Sequence, residues 1–262
     1  MLEVLHIMEV KIMINEETKR KLRELNISEL ITGLEIQQKE YNIAELTFDE
    51  RFQQLTDYLY QEKYNSKIKR MIKAAKFRLA NAEIRDIVYG GRSIDKSTIK
   101  EISTCQFIDN NTDIIIQGFT GAGKTYLSNA IGKQACRLCI QTKYIRLPDL
   151  LEEMEEQKNR KMPISKLLKK YGNCKLLILD EWLLDNLNDD EQSFIFELME
   201  RRHDVSSTIF CSQFRIEDWH SKLGGGAMAD AILDRIVHNA ITIETGAMNM
   251  REYNSKSRIK LS

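Results

Sequence analysis

Gly118-Phe119-Thr120-Gly121-Ala122-Gly123-Lys124-Thr125 stands near the middle of this 262-residue chain, and its reading decides the fold. The stretch satisfies G-x-x-x-x-G-K-[ST] at every fixed position. Its surroundings match as well: Ile114-Ile115-Ile116 precedes it as a short apolar strand, and a helical pattern runs from Gly123 to about Cys139. Glycines let such a loop curl so that successive backbone N–H groups face one point, and the following helix adds the partial positive charge of its N-terminus. Gly118, Phe119, Thr120, Gly121, Ala122, Gly123, Lys124 and Thr125 are therefore expected to cradle a polyphosphate. Lys124 would reach its outer phosphates, and Thr125 would ligate Mg²⁺.

Outward from the loop, apolar strands alternate with helices. The strands read as 142–147, 176–179, 208–211 and 240–244, and the helices as 148–168, 189–203 and 227–239; Pro148 suits a first helical turn. Strands that are apolar throughout belong to a parallel sheet covered on both faces, which places the chain in the α/β class. Leu176-Leu177-Ile178-Leu179-Asp180-Glu181 buries a strand and delivers an acidic pair at its carboxyl edge, where open parallel sheets bind ligands. Asp180 is expected to hold Mg²⁺ through water, and Glu181 to polarise an attacking water. A base beside the phosphates points to hydrolysis. No Asn-Lys-x-Asp guanine-reading sequence occurs, so ATP is the expected nucleotide.

Further candidates lie beyond the loop. Ser212 and Gln213 end the fourth strand, either as phosphate-facing groups or as an ordinary polar strand end. Arg235, within Ile232-Leu233-Asp234-Arg235-Ile236-Val237, has the chemistry to stabilise a transferring phosphoryl group, in cis or from a neighbouring subunit; by spacing alone an ordinary salt bridge is the better reading. After Glu244 only 18 residues remain, too few for a helical lid, and that tail carries Arg251, Lys256, Arg258 and Lys260 against Glu252.

The first 90 residues have a helical period broken at Asn26-Ile27-Ser28, with a capping box at Thr47-x-x-Glu50, and read as a small all-helical domain of three or four helices. Residues 1–62 hold 7 basic and 13 acidic side chains, whereas residues 63–92 hold 9 basic and 2 acidic. That excess, including Lys67, Lys69, Arg70, Lys73, Lys76 and Arg78, reads either as a solvated face or as a phosphate-contacting helix. Gly90-Gly91 ends the pattern, residues 91–110 read as a linker, and residues 111–262 hold the α/β domain. Both Met1 and Met8 fit as a start. Five cysteines without a second pair or a histidine pair suggest neither a disulfide framework nor a zinc site, and no stretch is apolar enough to cross a bilayer; a cytoplasmic protein is expected.

With these features in order, the chain resembles the IstB family, the ATP-binding helper proteins of bacterial insertion sequences. More distantly it is similar to the DnaC helicase loaders, which share the AAA+ core. Besides the loop and the acidic pair, Thr208–Gln213, Ile216-Glu217-Asp218-Trp219 and Ala231–His238 carry the likeness, which covers about residues 12–255. The resemblance implies an AAA+ ATPase that binds double-stranded DNA, assembles on it as an ATP-dependent homo-oligomer, and recruits a transposase to its target, or a replicative helicase if the loader likeness is the closer one. It places Arg235 as the arginine finger of a neighbour's site, Arg251 as the second sensor, and Gln213 where the first sensor is usually Asn. It also favours DNA as the ligand of the 63–92 segment.

Overall fold

The computed structural model describes residues 14–39 and 45–253, so Met1, Met8 and the tail residues Lys256, Arg258 and Lys260 lie outside the described residues. The chain divides into two compact units, Met1–Lys69 and Arg70–Ser262.

The first unit contains α1 (Glu16–Glu24), α2 (Glu29–Gln37) and most of α3 (Phe48–Ala75). Asn15 caps α1 by accepting from the Thr18 N–H at 2.7 Å. The expected capping box opens α3: the Thr47 N–H donates to Glu50 Oε2 at 2.8 Å, and the Glu50 N–H donates to Thr47 Oγ1 at 3.3 Å. Buried Gln37 joins α2 to α3 by donating to Arg51 O and Gln54 Oε1, 2.8 Å each. The helical pattern of the sequence runs on to residue 89, but α3 stops at Ala75. Lys76 turns left-handed (φ 59°), and residues 76–95 are irregular apart from one 3-10 turn at Ile84–Asp86.

The second unit is a five-stranded parallel sheet: β1 (Asp113–Gln117), β2 (Thr142–Arg146), β3 (Leu176–Asp180), β4 (Ser207–Ser212) and β5 (Ala240–Glu244), in the order β2-β3-β4-β1-β5. Period-two alternation sends its side chains into two cores. Ile115, Leu177, Leu179 and Phe210 join α7 (Leu147–Asn159), α8 (Ser165–Gly172), α9 (Asp189–Arg202), α10 (Ile216–Lys222) and α11 (Gly226–Val237). Ile114, Ile116, Leu176, Ile178, Ile209, Cys211 and Ile243 join α4 (Lys96–Ile102), α5 (Gln106–Asp109) and α6 (Lys124–Arg137). A fully buried Ile or Leu contributes about 1.5–3 kcal/mol, so both faces are strongly specified.

The segment 91–110, expected as a linker, is part of this second core. Ile94, Ile99, Ile102, Cys105, Phe107 and Ile108 are all buried in it. Their apolar side chains are scattered through polar sequence, and Asp95 caps α4 by accepting from the Thr98 N–H. Trp219, part of the distinctive 216–219 stretch, is fully buried against Trp182 and Phe210. Among the described residues no helix is long and apolar enough to cross a membrane, and all five cysteines are free thiols.

Candidate nucleotide site

Because all five strands run the same way, their carboxyl ends meet at one edge. Register places Gln117 beside both Ser212 and Glu244, and Arg146 beside Asp180. The loop 118–123 leaves β1 at this edge and enters α6 at Lys124. Gly121 holds φ 84°, and an added Cβ there would lie 2.7 Å from Asn249 Oδ1, so both conformation and space exclude a side chain. Beside the loop is a cavity of about 480 Å³ lined by Thr120, Gly121, Gly123, Lys124, Thr125, Asp180, Glu181, Gln213 and Arg251, among others. That is the size range of small-molecule and cofactor sites.

Lys124 Nζ folds back onto the loop, donating to Gly118 O (2.6 Å) and Phe119 O (3.0 Å), and burial lowers its pKa below the usual lysine value. Thr125 Oγ1 donates to Asp180 Oδ2 at 2.7 Å. Tyr144 Oη donates to the same carboxylate oxygen at 2.8 Å, and burial, then the Asp180 charge, push that phenol's pKa upward. Asp180 Oδ1 accepts the Glu181 N–H at 2.9 Å, which holds Glu181 in the left-handed region at φ 54°. Such backbone strain costs on the order of 1–3 kcal/mol and gathers at functional sites. Burial would raise the Glu181 pKa, but hydrogen bonds from Arg146 and then Arg78 outweigh it and hold the carboxyl below its usual value.

Thr120 Oγ1 donates to Gln213 Oε1 at 2.7 Å, tying the loop to the end of β4. Neighbouring Ser212 points inward, donating to Trp182 O and accepting from the Phe214 N–H; it is a strand-end anchor. Arg251 reaches the cavity because the tail lies across the loop: the Thr245 N–H donates to Gln117 O and the Met250 N–H to Gly121 O, both at 2.9 Å. Phe119 is exposed, and Ala122 is buried with its carbonyl held by Arg92 at 2.5 Å.

The structure also places two further candidates. Arg235 is not brought to this cavity. It packs over Phe196, donates to Glu200 Oε2 (2.6 Å) and Ala231 O (2.7 Å), and lies near Asn111 and Asp113 at the amino edge of the sheet. Arg78, grouped by local charge with the DNA-contacting residues, lines the cavity and donates to Glu181 Oε1 at 3.0 Å. Tyr144 and Arg146 went unread in the sequence. Their period-two spacing in a strand ending at the carboxyl edge was the available signal, but only the register with β3 shows what they face. Arg146 donates to Glu181 Oε2 at 2.6 Å.

A glycine-rich loop, its lysine, a strand-end acidic pair and the order of the parallel sheet together define a P-loop ATPase of the AAA+ type. The model for IstB-like ATP binding proteins matches residues 20–258, and the chain belongs to that family. It is 33% identical over 190 residues to an insertion-sequence ATP-binding protein of Sinorhizobium fredii, covering 72% of this chain and 77% of that one. Among solved structures it is similar to AMPPCP-bound DnaA from Aquifex aeolicus (TM-score 0.54, 20% identity, covering 70% of this chain and 55% of that one). It is also similar to the DnaC helicase loader (TM-score 0.51, 20% identity, covering 62% and 97%). At these identities the two structures speak for the fold.

Proposed function

We propose that this ATPase assembles on double-stranded DNA as an ATP-dependent homo-oligomer and recruits a transposase to the site it occupies. One observation carries the DNA reading. Lys67, Lys69, Arg70, Lys73 and Lys76 are all exposed, none is in an ion pair among the described residues, and no acidic side chain lies between Lys63 and Leu79. Such a segment offers phosphate contacts with no internal charge to neutralise them. On this reading the helical region that ends in α3 is the DNA-binding domain, and residues 111–262 carry the ATPase chemistry.

Mg²⁺-bound ATP supplies the phosphoanhydride that water cleaves. Thr125 and Asp180 suit the metal: a hydroxyl and a carboxylate already within hydrogen-bond distance are hard oxygen donors. Among the described residues no cluster of three or more His, Cys, Asp or Glu forms a cage, which fits a cation that arrives with the phosphates. Lys124 exchanges its two loop carbonyls for phosphate oxygens, Glu181 takes a proton from the attacking water, and Gln213 and Arg251 contact the terminal phosphate.

Arg235 lies far from its own chain's loop, which supports a role in trans: each site would be complete only at a subunit interface. Nucleotide would then favour the assembled state by its differential affinity. The relatives' names point to transposition and favour a transposase as the partner. Light scattering with DNA tests the assembly. A non-hydrolysable ATP analogue should raise the mass of the complex well above that with DNA alone, and Arg235→Ala should abolish that rise. Equal masses with and without the analogue would overturn the assembly reading.

A further inference from the structure

With Arg235 acting in trans, the two halves of each site lie at opposite edges of the sheet, and each edge carries one conspicuously exposed apolar side chain. Among the described residues of the second unit, Phe119 (70% exposed) and Val205 (59%) are the most exposed large hydrophobic residues. Phe119 follows β1 by two positions, and its neighbour Thr120 lines the nucleotide cavity. Val205 precedes β4 by two positions, and His203, Asp204 and Ser206 around it line the same hollow as Arg235. The two strands are adjacent, parallel, and five and six residues long. At about 3.3 Å per residue, Phe119 and Val205 stand on the order of 20 Å apart and do not meet within one chain.

Neither is exposed through a loose backbone. Phe119 O accepts the Ala122 N–H at 3.1 Å and Lys124 Nζ at 3.0 Å. Before Val205 the chain turns left-handed at Asp204 (φ 55°), whose carbonyl accepts Asn111 Nδ2 at 2.7 Å. The Val205 and Ser206 N–H groups then both donate to Arg202 O at 3.1 Å, so a buried residue anchors the turn that holds Val205 outward. Phosphate binding does not call for an aromatic at residue 119. That position is free in the loop pattern, and the loop meets phosphates with its backbone N–H groups.

We propose that Phe119 of one copy packs against Val205 of the next, an apolar contact that aligns the nucleotide edge of one subunit with the Arg235 edge of its neighbour. The occupant is a second copy of this chain, because the cavity lacks its own Arg235 and the surface that carries Arg235 is the one that carries Val205. The contact is heterologous. A two-fold pair, Phe119 against Phe119, would bring two cavities together and leave both Arg235 side chains unused. Heterologous contacts generate rings or open helices. The proposal rests on the reading of Arg235 as acting in trans, and deepens it by naming the apolar pair that sets which edges meet.

Light scattering of the full chain with duplex DNA and a non-hydrolysable ATP analogue, across a protein titration, tests it. Val205→Asp should raise the protein concentration of half-assembly about ten-fold or more, because it puts a charge into an apolar contact. Its affinity for a fluorescent ATP analogue, measured on the dilute chain without DNA, should stay that of wild type, which also shows that the variant folds. Val205→Leu, still apolar, should assemble as wild type does. Cross-linking reports the orientation. In a Cys139→Ser background, which removes the one cysteine that is not buried, Phe119→Cys and Val205→Cys chains are treated with a short bis-maleimide in the presence of DNA and analogue. The mixture should give a linked dimer, and either chain alone should not. Wild-type half-assembly in Val205→Asp overturns the proposal, as does a mixture that assembles without linking, or links no better than Phe119→Cys alone. A wild-type chain whose mass does not rise with the analogue would instead overturn the assembly reading beneath it.

Discussion

Gly118 joins the fold to the site, and replacing it with alanine gives a result that divides into two parts. Gly118 has φ 150°, and an added Cβ would overlap Thr245 Oγ1 well within van der Waals contact and lie 3.3 Å from Thr245 Cβ. Thr245 cannot simply turn aside: it is fully buried, and its Oγ1 donates to Gln117 O at 2.9 Å, the carbonyl that also accepts its N–H. The backbone part, an alanine in a glycine-only region, costs about 1–3 kcal/mol. The collision part is overpacking against a fixed neighbour and costs about 1–3 kcal/mol more. Thr245→Ala removes the colliding oxygen and, because Gln117 O keeps its backbone partner, costs about 0.5–1.5 kcal/mol by itself. In the Thr245→Ala background Gly118→Ala should then cost only the backbone part. Urea unfolding of the four proteins, followed by circular dichroism, yields the coupling as the departure from additivity; it should be about 1–3 kcal/mol in favour of the double variant. Additivity within about 0.5 kcal/mol would refute the packing of the tail against the loop.

Other consequences are as direct. Arg202 is 2% exposed and donates to Tyr171 O, Cys174 O, Ser207 O and Thr208 Oγ1, so it joins the end of α9 to α8, to the turn that precedes β3, and to β4. Arg202→Met fills the space but orphans those acceptors and should lower unfolding free energy by about 3–5 kcal/mol; a loss under about 1 kcal/mol in a urea melt would contradict the network. Replacing Lys69, Arg70 and Lys73 with alanine should weaken duplex binding and reduce the slope of log K against log salt by about 2–3, at about 0.9 per lost phosphate contact. Fluorescence anisotropy across a salt series measures it, and an unchanged slope returns the segment to a solvated face. Gly132→Ala puts a Cβ 2.6 Å from Ile178 Cδ1, where α6 crosses the sheet, and should cost about 1–3 kcal/mol in the same urea assay; no loss would mean α6 has room to shift.

The parallel sheet and the loop were legible in the sequence because they rest on local pattern: buried strands written as unbroken Ile and Leu, and a loop whose glycines stand at fixed spacing. The acidic pair was legible because Leu176–Leu179 leaves only one edge of the strand for Asp180. The rest depends on contacts distant in sequence. Residues 91–110 looked like a linker because their apolar side chains are separated by Ser, Thr, Lys and Asp, and their burial partners are in β1 and α6. Arg78 looked like part of a basic run because a local charge count does not reveal Glu181. With no helix breaker read before Gly90-Gly91, the predicted helix ran past Ala75, whereas Phe77 and Leu79 belong to an irregular segment packed on α6. Arg235 has the right chemistry for phosphate, and local spacing favours a salt bridge for it; its place at the amino edge of the sheet, paired with Glu200, needed the sheet topology to be seen.

The central claim is that the loop 118–125 grips ATP beside a separate hydrolytic base. Equilibrium binding of a fluorescent ATP analogue, measured alongside phosphate release on the same preparations, tests it most directly. Lys124→Ala should weaken binding by about 30-fold or more, since on the proposed reading it removes a half-buried charge that would exchange the loop carbonyls for phosphate oxygens. Glu181→Gln should bind as wild type does and release phosphate about 10²–10⁴-fold more slowly. Wild-type affinity in Lys124→Ala, or wild-type phosphate release in Glu181→Gln, would contradict the account.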